Sequence, residues 1–292
     1  MADRSWLFVP GDSERKLARA AGCGADAVIV DLEDAVAPAA KDRARGLARE
    51  WLSAHRGGPM MRWARINALD TPLWRADLAE VMAGAPDGIM VPKAAGPRSL
   101  DRLTAELEGL ERHHGLAPGA TRILAQTAET PRAALAIPAY ADAPPPRLAG
   151  LTWGAEDLAA AMGASRKRDG AGGWTAAFRL VRAQLLLAAH ACGVAAIDTI
   201  HADFRDLDAL AAIAADSCAD GFAGMLAIHP AQVPVINLAF TPDAARIAEA
   251  RAIVAAFAAD PGAGAAQLDG RMIELPHLRQ AEQLLASLAR DR

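Results

Sequence analysis

Cysteine and lysine are scarce in this chain, and it carries no long apolar run and no excess of one charge. Its three cysteines, Cys23, Cys192 and Cys218, are odd in number and stand at no metal-like spacing. That excludes a disulfide framework and points to small thiols in a reducing cytoplasm. No apolar run approaches the roughly 18 residues that a membrane-spanning helix needs. The N-terminus lacks a basic segment followed by an apolar stretch, so no secretory signal is expected. Net charge is −4, from 31 basic and 35 acidic residues, which gives no electrostatic case for nucleic acid or an anionic membrane. Lys16, Lys41, Lys93 and Lys167 are the only lysines. HxxxH, CxxC, GxSxG, GxGxxG and P-loop patterns are all absent, so neither a dinucleotide fold nor a hydrolase elbow is supported.

What is present is a repeated alternation. Eight short apolar, strand-like runs each end in a polar or charged cluster, and a helical pattern usually follows: Trp6–Val9, Ala27–Val30, Met60–Ile66, Gly88–Val91, Ile123–Thr127, Leu148–Trp153, Ala195–Ile200 and Met225–Ile228. Alternating strands and helices indicate βαβ units and a parallel sheet. Eight units in 292 residues fit a (β/α)8 TIM barrel, an α/β fold whose active sites lie at the C-terminal ends of the strands.

Helix starts are legible at Pro38, at Thr71-Pro72, at Ser99, at Thr130-Pro131 and at Asp206. The Ala164–Gly173 loop combines four charges with three glycines; it is either a mobile cover over the site or plain solvated surface. The barrel pattern ends near residue 236, giving residues 1–236 as the barrel and 237–292 as a helical extension. The extension holds two helical segments, Pro242–Ala259 and Pro276–Arg290, around a turn-like Asp260–Gly270. It is too short for an independent core and is expected to pack on the barrel, on a neighbouring subunit, or over the site.

The strand ends carry the candidate chemistry. Glu129 and Asp157 follow the fifth and sixth runs, and neighbouring parallel strands lie about 4.8 Å apart, so the two carboxylates can converge on one ion. Two carboxylates suit Mg²⁺, which takes its remaining ligands from water and substrate oxygens. The alternative is a pair of first-turn acids that stabilise helix starts. Asp31, Glu33 and Asp34 crowd into VDLEDAV and need solvent, a cation or Arg65 as partner; a supporting role is favoured over direct ligation. Arg65 offers a planar fork for an oxoacid carboxylate, a role compatible with an ion pair to those acids. Lys93 raises a Schiff-base reading, but nothing nearby argues for a depressed pKa. Arg4, Arg15 and Lys16 bracket the first run and suit an anionic ligand tail. His229 reads as a packed or capping histidine.

The stretches RSWLFVPG, ADAVIVDLEDAV, RWARIN, IMVPKA, ETPRAAL, LTWGAEDLAAAMG, AIDTIHADFRD and GFAGMLAIHPAQV, in this order, resemble the citrate lyase β-subunit-like family within the HpcH/HpaI aldolase group of Mg²⁺-dependent CoA-ester lyases. They cover residues 4 to about 235, and GRMIELPHLRQA extends the likeness into the tail. The resemblance implies a barrel with a C-terminal extension, homotrimers or larger homo-oligomers, Mg²⁺ on Glu129 and Asp157, and an oxoacid carboxylate on Arg65. It also implies that Arg4, Lys16 and the backbone around Pro230 lie near a CoA thioester or its phosphates. Malyl-CoA lyase-like members carry an aspartate where this chain has Glu274, and that group acts at the thioester methyl. The extra methylene displaces the carboxylate by about 1 Å, a displacement that can cost ~10²-fold in rate.

The activity this implies is cleavage of a 3-hydroxyacyl-CoA of malyl-CoA or citramalyl-CoA type into an acyl-CoA and a 2-oxoacid. Asp31, Glu33 or a metal-bound water is a candidate proton acceptor, and Glu274 a candidate base at the methyl group. The rivals are a citrate lyase β subunit acting on a carrier-bound thioester, an acyl-CoA thioesterase or oxoacid aldolase, and a non-catalytic assembly barrel.

Overall fold

The computed structural model describes residues 3–260 and 262–289. Eight parallel strands close into a barrel in sequence order: β1 (Ser5–Pro10), β2 (Ala27–Asp31), β3 (Met61–Arg65), β4 (Gly88–Val91), β5 (Arg122–Thr127), β6 (Leu148–Trp153), β7 (Ala195–Asp198) and β8 (Gly224–Ala227). β8 pairs back onto β1 through Trp6↔Leu226. The architecture is the (β/α)8 barrel that the alternation predicts. No helix among the described residues is long and apolar enough to cross a membrane.

The barrel interior is filled from alternating positions, as the period-2 geometry of strands demands. Trp6, Ala27, Ile29, Trp63, Met90, Leu124, Ile197 and Leu226 form one buried cluster. Its centre is a tilted indole pair, Trp6 and Trp63, with centroids 5.2 Å apart. Gly88 makes room for it, because a Cβ there would stand 2.2 Å from the Trp63 ring.

The two ends of the barrel use charge differently. At the N-terminal end, acids and arginines at or near the strand starts are paired off. Arg4 forks onto Asp26, and Arg62 onto Asp87. Arg147 grips Glu111 through both guanidinium Nη atoms at 2.7 and 2.8 Å, and the Gly119 and Thr121 N–H groups donate to the same carboxylate. Burial pushes the Glu111 pKa up, but these four bonds outweigh it and hold it at about 2. A folded-state pKa below the unfolded value of roughly 4.5 gives stability that is complete above pH 4.5 and lost as pH falls toward 2. The size is about 3 kcal/mol at 1.36 kcal/mol per unit. Urea titrations between pH 2 and 6 should therefore show the advantage of the wild type over Glu111→Gln shrinking across that window. A gap independent of pH would contradict this.

Two of the predicted caps act as caps, whereas Ser99 lies in a short turn before the helix that begins at Asp101 and its hydroxyl donates to the Gly96 carbonyl. Thr130 accepts from the Ala133 N–H to open Pro131–Leu135, and Asp206 accepts from Ala209 to open Leu207–Asp220. Thr71 does not cap as its spacing predicts; the helix begins at Trp74, and Thr71 instead closes a local turn onto Ala68.

The chain divides into two compact units, one spanning Asp3–Leu238 and the other beginning at Ala239. The second holds helix Ala244–Ala259, helix Leu275–Ala289 and, between them, an antiparallel hairpin of β9 (Ala265–Leu268) and β10 (Arg271–Glu274). The expected turn-like Asp260–Gly270 thus contains a four-residue strand, β9. Asp269 and Gly270 adopt φ of +51° and +77°, the left-handed conformation of a two-residue hairpin turn.

Candidate active site

The C-terminal end of the barrel carries a compact layer of opposed charges. Asp31 ends β2 and Arg65 ends β3, in register as direct neighbours. Arg65 Nε and Nη2 each donate to one Asp31 oxygen at 2.7 Å. The same carboxylate accepts the Glu33 and Ala35 N–H groups at 2.9 and 3.2 Å. All four lone-pair directions of Asp31 are therefore occupied. It holds Arg65, the pairing that the sequence allows for the acids of VDLEDAV. Arg65 also lies over the Phe8 ring at 4.6 Å, with Nη1 3.2 Å from Glu33 and 3.5 Å from Gln126 Oε1. Burial alone would lower the Arg65 pKa, but Asp31, Glu33 and Glu129 outweigh it and keep the group charged.

Glu33 is 3 % exposed. Its Oε1 accepts from Lys93 Nζ at 2.5 Å, while its Oε2 is buried without a hydrogen bond. Desolvation raises its pKa against the pull of Arg65 and Lys93. Burial likewise pulls Lys93 toward neutrality, but the bond to Glu33 and the charges of Asp34 and Glu129 hold its pKa above the usual lysine range. A neutral amine, which Schiff-base chemistry requires, is disfavoured there. The turn that presents these acids is clamped by Lys41, whose Nζ donates to the Leu32 and Glu33 carbonyls and to Asn67 Oδ1.

Glu129 and Asp157 come together as their strand positions predict. Glu129 is 1 % exposed; its Oε1 accepts from Gln126 Nε2 at 2.9 Å and its Oε2 from the Lys93 N–H. Asp157 lies in the first turn of helix Ala155–Met162. Between them is Gly154, where a Cβ would meet Glu129 Cγ at 2.7 Å, Gln126 Nε2 at 3.0 Å and Asp157 Oδ2 at 3.1 Å. Burial drives the Glu129 pKa well up, and the neighbouring carboxylates of Glu33 and Asp157 drive it further. Two like charges held together in a desolvated recess favour a cation between them. Among the described residues no group of three or more His, Cys, Asp or Glu side chains is arranged to hold a metal. Two hard oxygen donors with a gap kept open by glycine instead fit an ion that draws its other ligands from water and substrate. Lys93 and Ala128, which frame Glu129, are non-glycine residues at φ of +51° and +60°. Such conformations gather at functional sites, because the surroundings over-determine them.

Two cavities open on this layer. The first, about 210 Å³, is lined by Asp31, Asp34, Arg65, Gln126, Trp153 and Asp157 among others. The second, about 410 Å³, has apolar walls from Leu7, Val9 and Pro230 and a basic flank of Arg15, Lys16 and Arg19. Both are bordered by Phe8 and Ile228, so they adjoin. His229 stacks on Phe204 in the second, at 4.9 Å. An apolar trough with a basic flank suits a long amphipathic ligand with an anionic end, beside a small chamber of mixed charged and apolar lining for the reacting group.

Sequence reasoning thus places Arg65, Glu33, Glu129 and Asp157 in one cluster and Lys16 and Pro230 in the adjoining cavity. Arg4 is misplaced by it. Arg4 precedes β1, so it sits at the opposite end of the barrel, bonded to Asp26. Glu274 belongs to the second unit, where it ends β10 and its N–H donates to His277 Nδ1. Gln126, Gly154, Phe8 and Lys41 are missed by it. Gln126 carries a readable signal, a polar residue in a buried strand three positions before Glu129; the others carry none.

Residues 4–230 match the HpcH/HpaI aldolase/citrate lyase family. The crystal structure of CitE from Mycobacterium tuberculosis in complex with magnesium, acetoacetate and coenzyme A superposes with a TM-score of 0.78 at 36% identity, over 98% of this chain and 97% of that one. A (3S)-malyl-CoA thioesterase of Cereibacter sphaeroides is 35% identical over 97% of this chain and 93% of its own length. The mitochondrial citramalyl-CoA lyase of Rattus norvegicus is 31% identical over 97% and 85% respectively.

Proposed function

Because the chain belongs to the HpcH/HpaI aldolase/citrate lyase family, whose activity is carbon–carbon cleavage of CoA esters, we propose that it is a Mg²⁺-dependent lyase that splits a 3-hydroxyacyl-CoA of malyl-CoA or citramalyl-CoA type into acyl-CoA and a 2-oxoacid. The observation that carries this reading is a small chamber lined by Asp157 and Arg65, with the buried Glu129 carboxylate beside Asp157 across Gly154, that adjoins an apolar trough with a basic flank. Glu129 and Asp157 would hold the ion. When bound, magnesium supplies Lewis-acid stabilisation of the negative charge that develops on the substrate oxygen.

The protein's own residues divide the rest of the work. Arg65, with its Nε and Nη2 fixed by Asp31, presents Nη1 to the substrate carboxylate. The 3-hydroxyl gives up its proton as the bond between C2 and C3 breaks, and the bonding pair moves toward the thioester to leave its enolate. Of the two acids suggested as acceptor, Glu33 is the one with an oxygen that accepts no hydrogen bond, its Oε2 being held only in an ion pair with Arg65 Nη1 at 3.2 Å. Protonation of the enolate then yields the acyl-CoA. Glu274 is the candidate donor for that proton, brought in within a homo-oligomer. The nucleotide end of the thioester would lie along Lys16, Arg15 and Arg19. We assign the reaction to the cytoplasm, where free thiols such as Cys23, Cys192 and Cys218 persist.

The thioesterase relative supports a second reading, in which water attacks the thioester and free CoA leaves. The two are separated by incubating the full chain with malyl-CoA or citramalyl-CoA and Mg²⁺ while titrating free thiol. A lyase forms 2-oxoacid with no thiol release; a thioesterase releases one thiol per substrate and no 2-oxoacid.

A further inference from the structure

The reading of Glu129 and Asp157 as magnesium ligands leaves open what fixes Asp157. Glu129 is tethered through both oxygens, whereas Asp157 sits on a turn at the mouth of β6. On one side β6 is paired to β5 as far as Thr127↔Trp153. On the other, the ladder between β6 and β7 comprises only Gly150↔Ala195 and Leu151↔Ala196. Beyond Leu151 the backbone does not bind the mouth of β6 to β7; side chains do. The Trp153 indole N–H donates to Asp198 Oδ1 at 2.8 Å, and the Ala155 N–H reaches Thr199 Oγ1 at 3.5 Å.

Asp198 is built for this and for nothing catalytic. It is 2 % exposed and behind the Trp153 ring that walls the small chamber. Its Oδ1 also accepts the Thr199 N–H, and its Oδ2 accepts Arg182 Nε at 2.9 Å and Ser217 Oγ at 2.7 Å. With every lone pair engaged, it has no capacity left to bind an ion or take a proton. Arg182 in turn reaches Asp220 at 2.6 Å and covers the Phe222 ring at 4.5 Å, so the carboxylate is anchored to two helices. The outer edge of Trp153 is closed by Trp174, at 5.0 Å.

We propose that Asp198, held by Arg182, is a positioning residue for the metal site: through the Trp153 indole it fixes the Trp153–Gly154–Asp157 turn and hence the separation of Asp157 from Glu129. This rests on the magnesium reading above. Gly154 shows how little slack exists, since its neighbours on both metal-binding side chains already stand within 3.1 Å of where a Cβ would be.

The test is calorimetric titration of Mg²⁺ into the full-length protein, without substrate, alongside the thermal midpoint. Trp153→Phe removes the indole N–H together with part of the ring and leaves Asp198, Arg182 and Ser217 paired. It should weaken Mg²⁺ binding on the order of 10-fold, the lower end of what partners behind a ligand contribute, while the midpoint falls only by the few degrees that a smaller buried ring costs. Asp198→Asn, which keeps an acceptor for the indole, should bind Mg²⁺ more tightly than Asp198→Ala. Glu129→Gln serves as the control that removes a ligand outright. Wild-type Mg²⁺ affinity in Trp153→Phe and Asp198→Ala, with binding lost in Glu129→Gln, would overturn the positioning role alone. Wild-type affinity in Glu129→Gln would overturn the metal site on which it rests. Should Asp198→Ala fail to fold, Trp153→Phe still decides the matter.

Discussion

Glu129→Gln should lose Mg²⁺ binding and nearly all turnover while the apo protein becomes no less stable. The substitution keeps size and shape but deletes one of two carboxylates. Lewis-acid assistance contributes several kcal/mol to a transition state, so kcat should fall by about 10³-fold or more. The stability half of the prediction has the opposite sign. Glu129 is buried, and beside it Glu33 and Asp157 raise its pKa further. A group whose folded pKa lies above its unfolded value stabilises at low pH, and that contribution is lost as pH rises through the folded pKa. Ionising Glu129 in the apo wild type is therefore unfavourable, a cost that the neutral amide of the variant lacks. Thermal melts with and without Mg²⁺ check this: the ion should raise the wild-type midpoint and leave that of Glu129→Gln unmoved. A variant that is strongly destabilised, or that still responds to Mg²⁺, would contradict the assignment.

Arg65→Lys should lower kcat/KM by about 10²-fold or more, although it preserves the charge. A lysine cannot reproduce the fork that meets both oxygens of Asp31 while presenting a third nitrogen to the chamber. Displacement of the carboxylate anchor by about 1 Å is enough for that loss. Stability should fall too, because Asp31, 1 % exposed, and Glu33, 3 % exposed, would lose part of their hydrogen bonding. Removing one partner of a buried pair outright costs about 3–5 kcal/mol, and the retained charge should hold the loss below that range. Mg²⁺ affinity in the absence of substrate should stay near wild type, which distinguishes this variant from Glu129→Gln. Activity within a few-fold of wild type would show that Arg65 serves only to neutralise Asp31.

The contrast between those residues shows what the chain's letters make legible. The eight strands are readable because each is a short apolar run closed by a polar cluster, and the (β/α)8 rule then says which end of each run faces the site. Glu129, Asp157 and Arg65 follow from that rule alone. Arg4 is misread because nearness to β1 in sequence does not distinguish the residue before a strand from the one after it, and those lie at opposite ends of the barrel. Asp31 and Glu33 look equivalent in VDLED. Only the folded backbone, which spends two N–H groups on Asp31, separates the anchor from the acid with an oxygen that accepts no hydrogen bond. The left-handed Lys93 and Ala128 are invisible in sequence because neither is a glycine. The hairpin of β9 and β10 was signalled by Asp269-Gly270, but the flanking alanines carry little strand preference.

The central claim is that cleavage of the carbon–carbon bond depends on an ion held by Glu129 and Asp157. The most direct test is to incubate the full-length protein with malyl-CoA and with citramalyl-CoA, in Mg²⁺ and after EDTA, and to quantify acetyl-CoA and the 2-oxoacid separately. Equal amounts of both products with Mg²⁺, neither after EDTA, and recovery when Mg²⁺ is restored are the predicted result. Cleavage that survives EDTA would contradict it and return attention to Lys93.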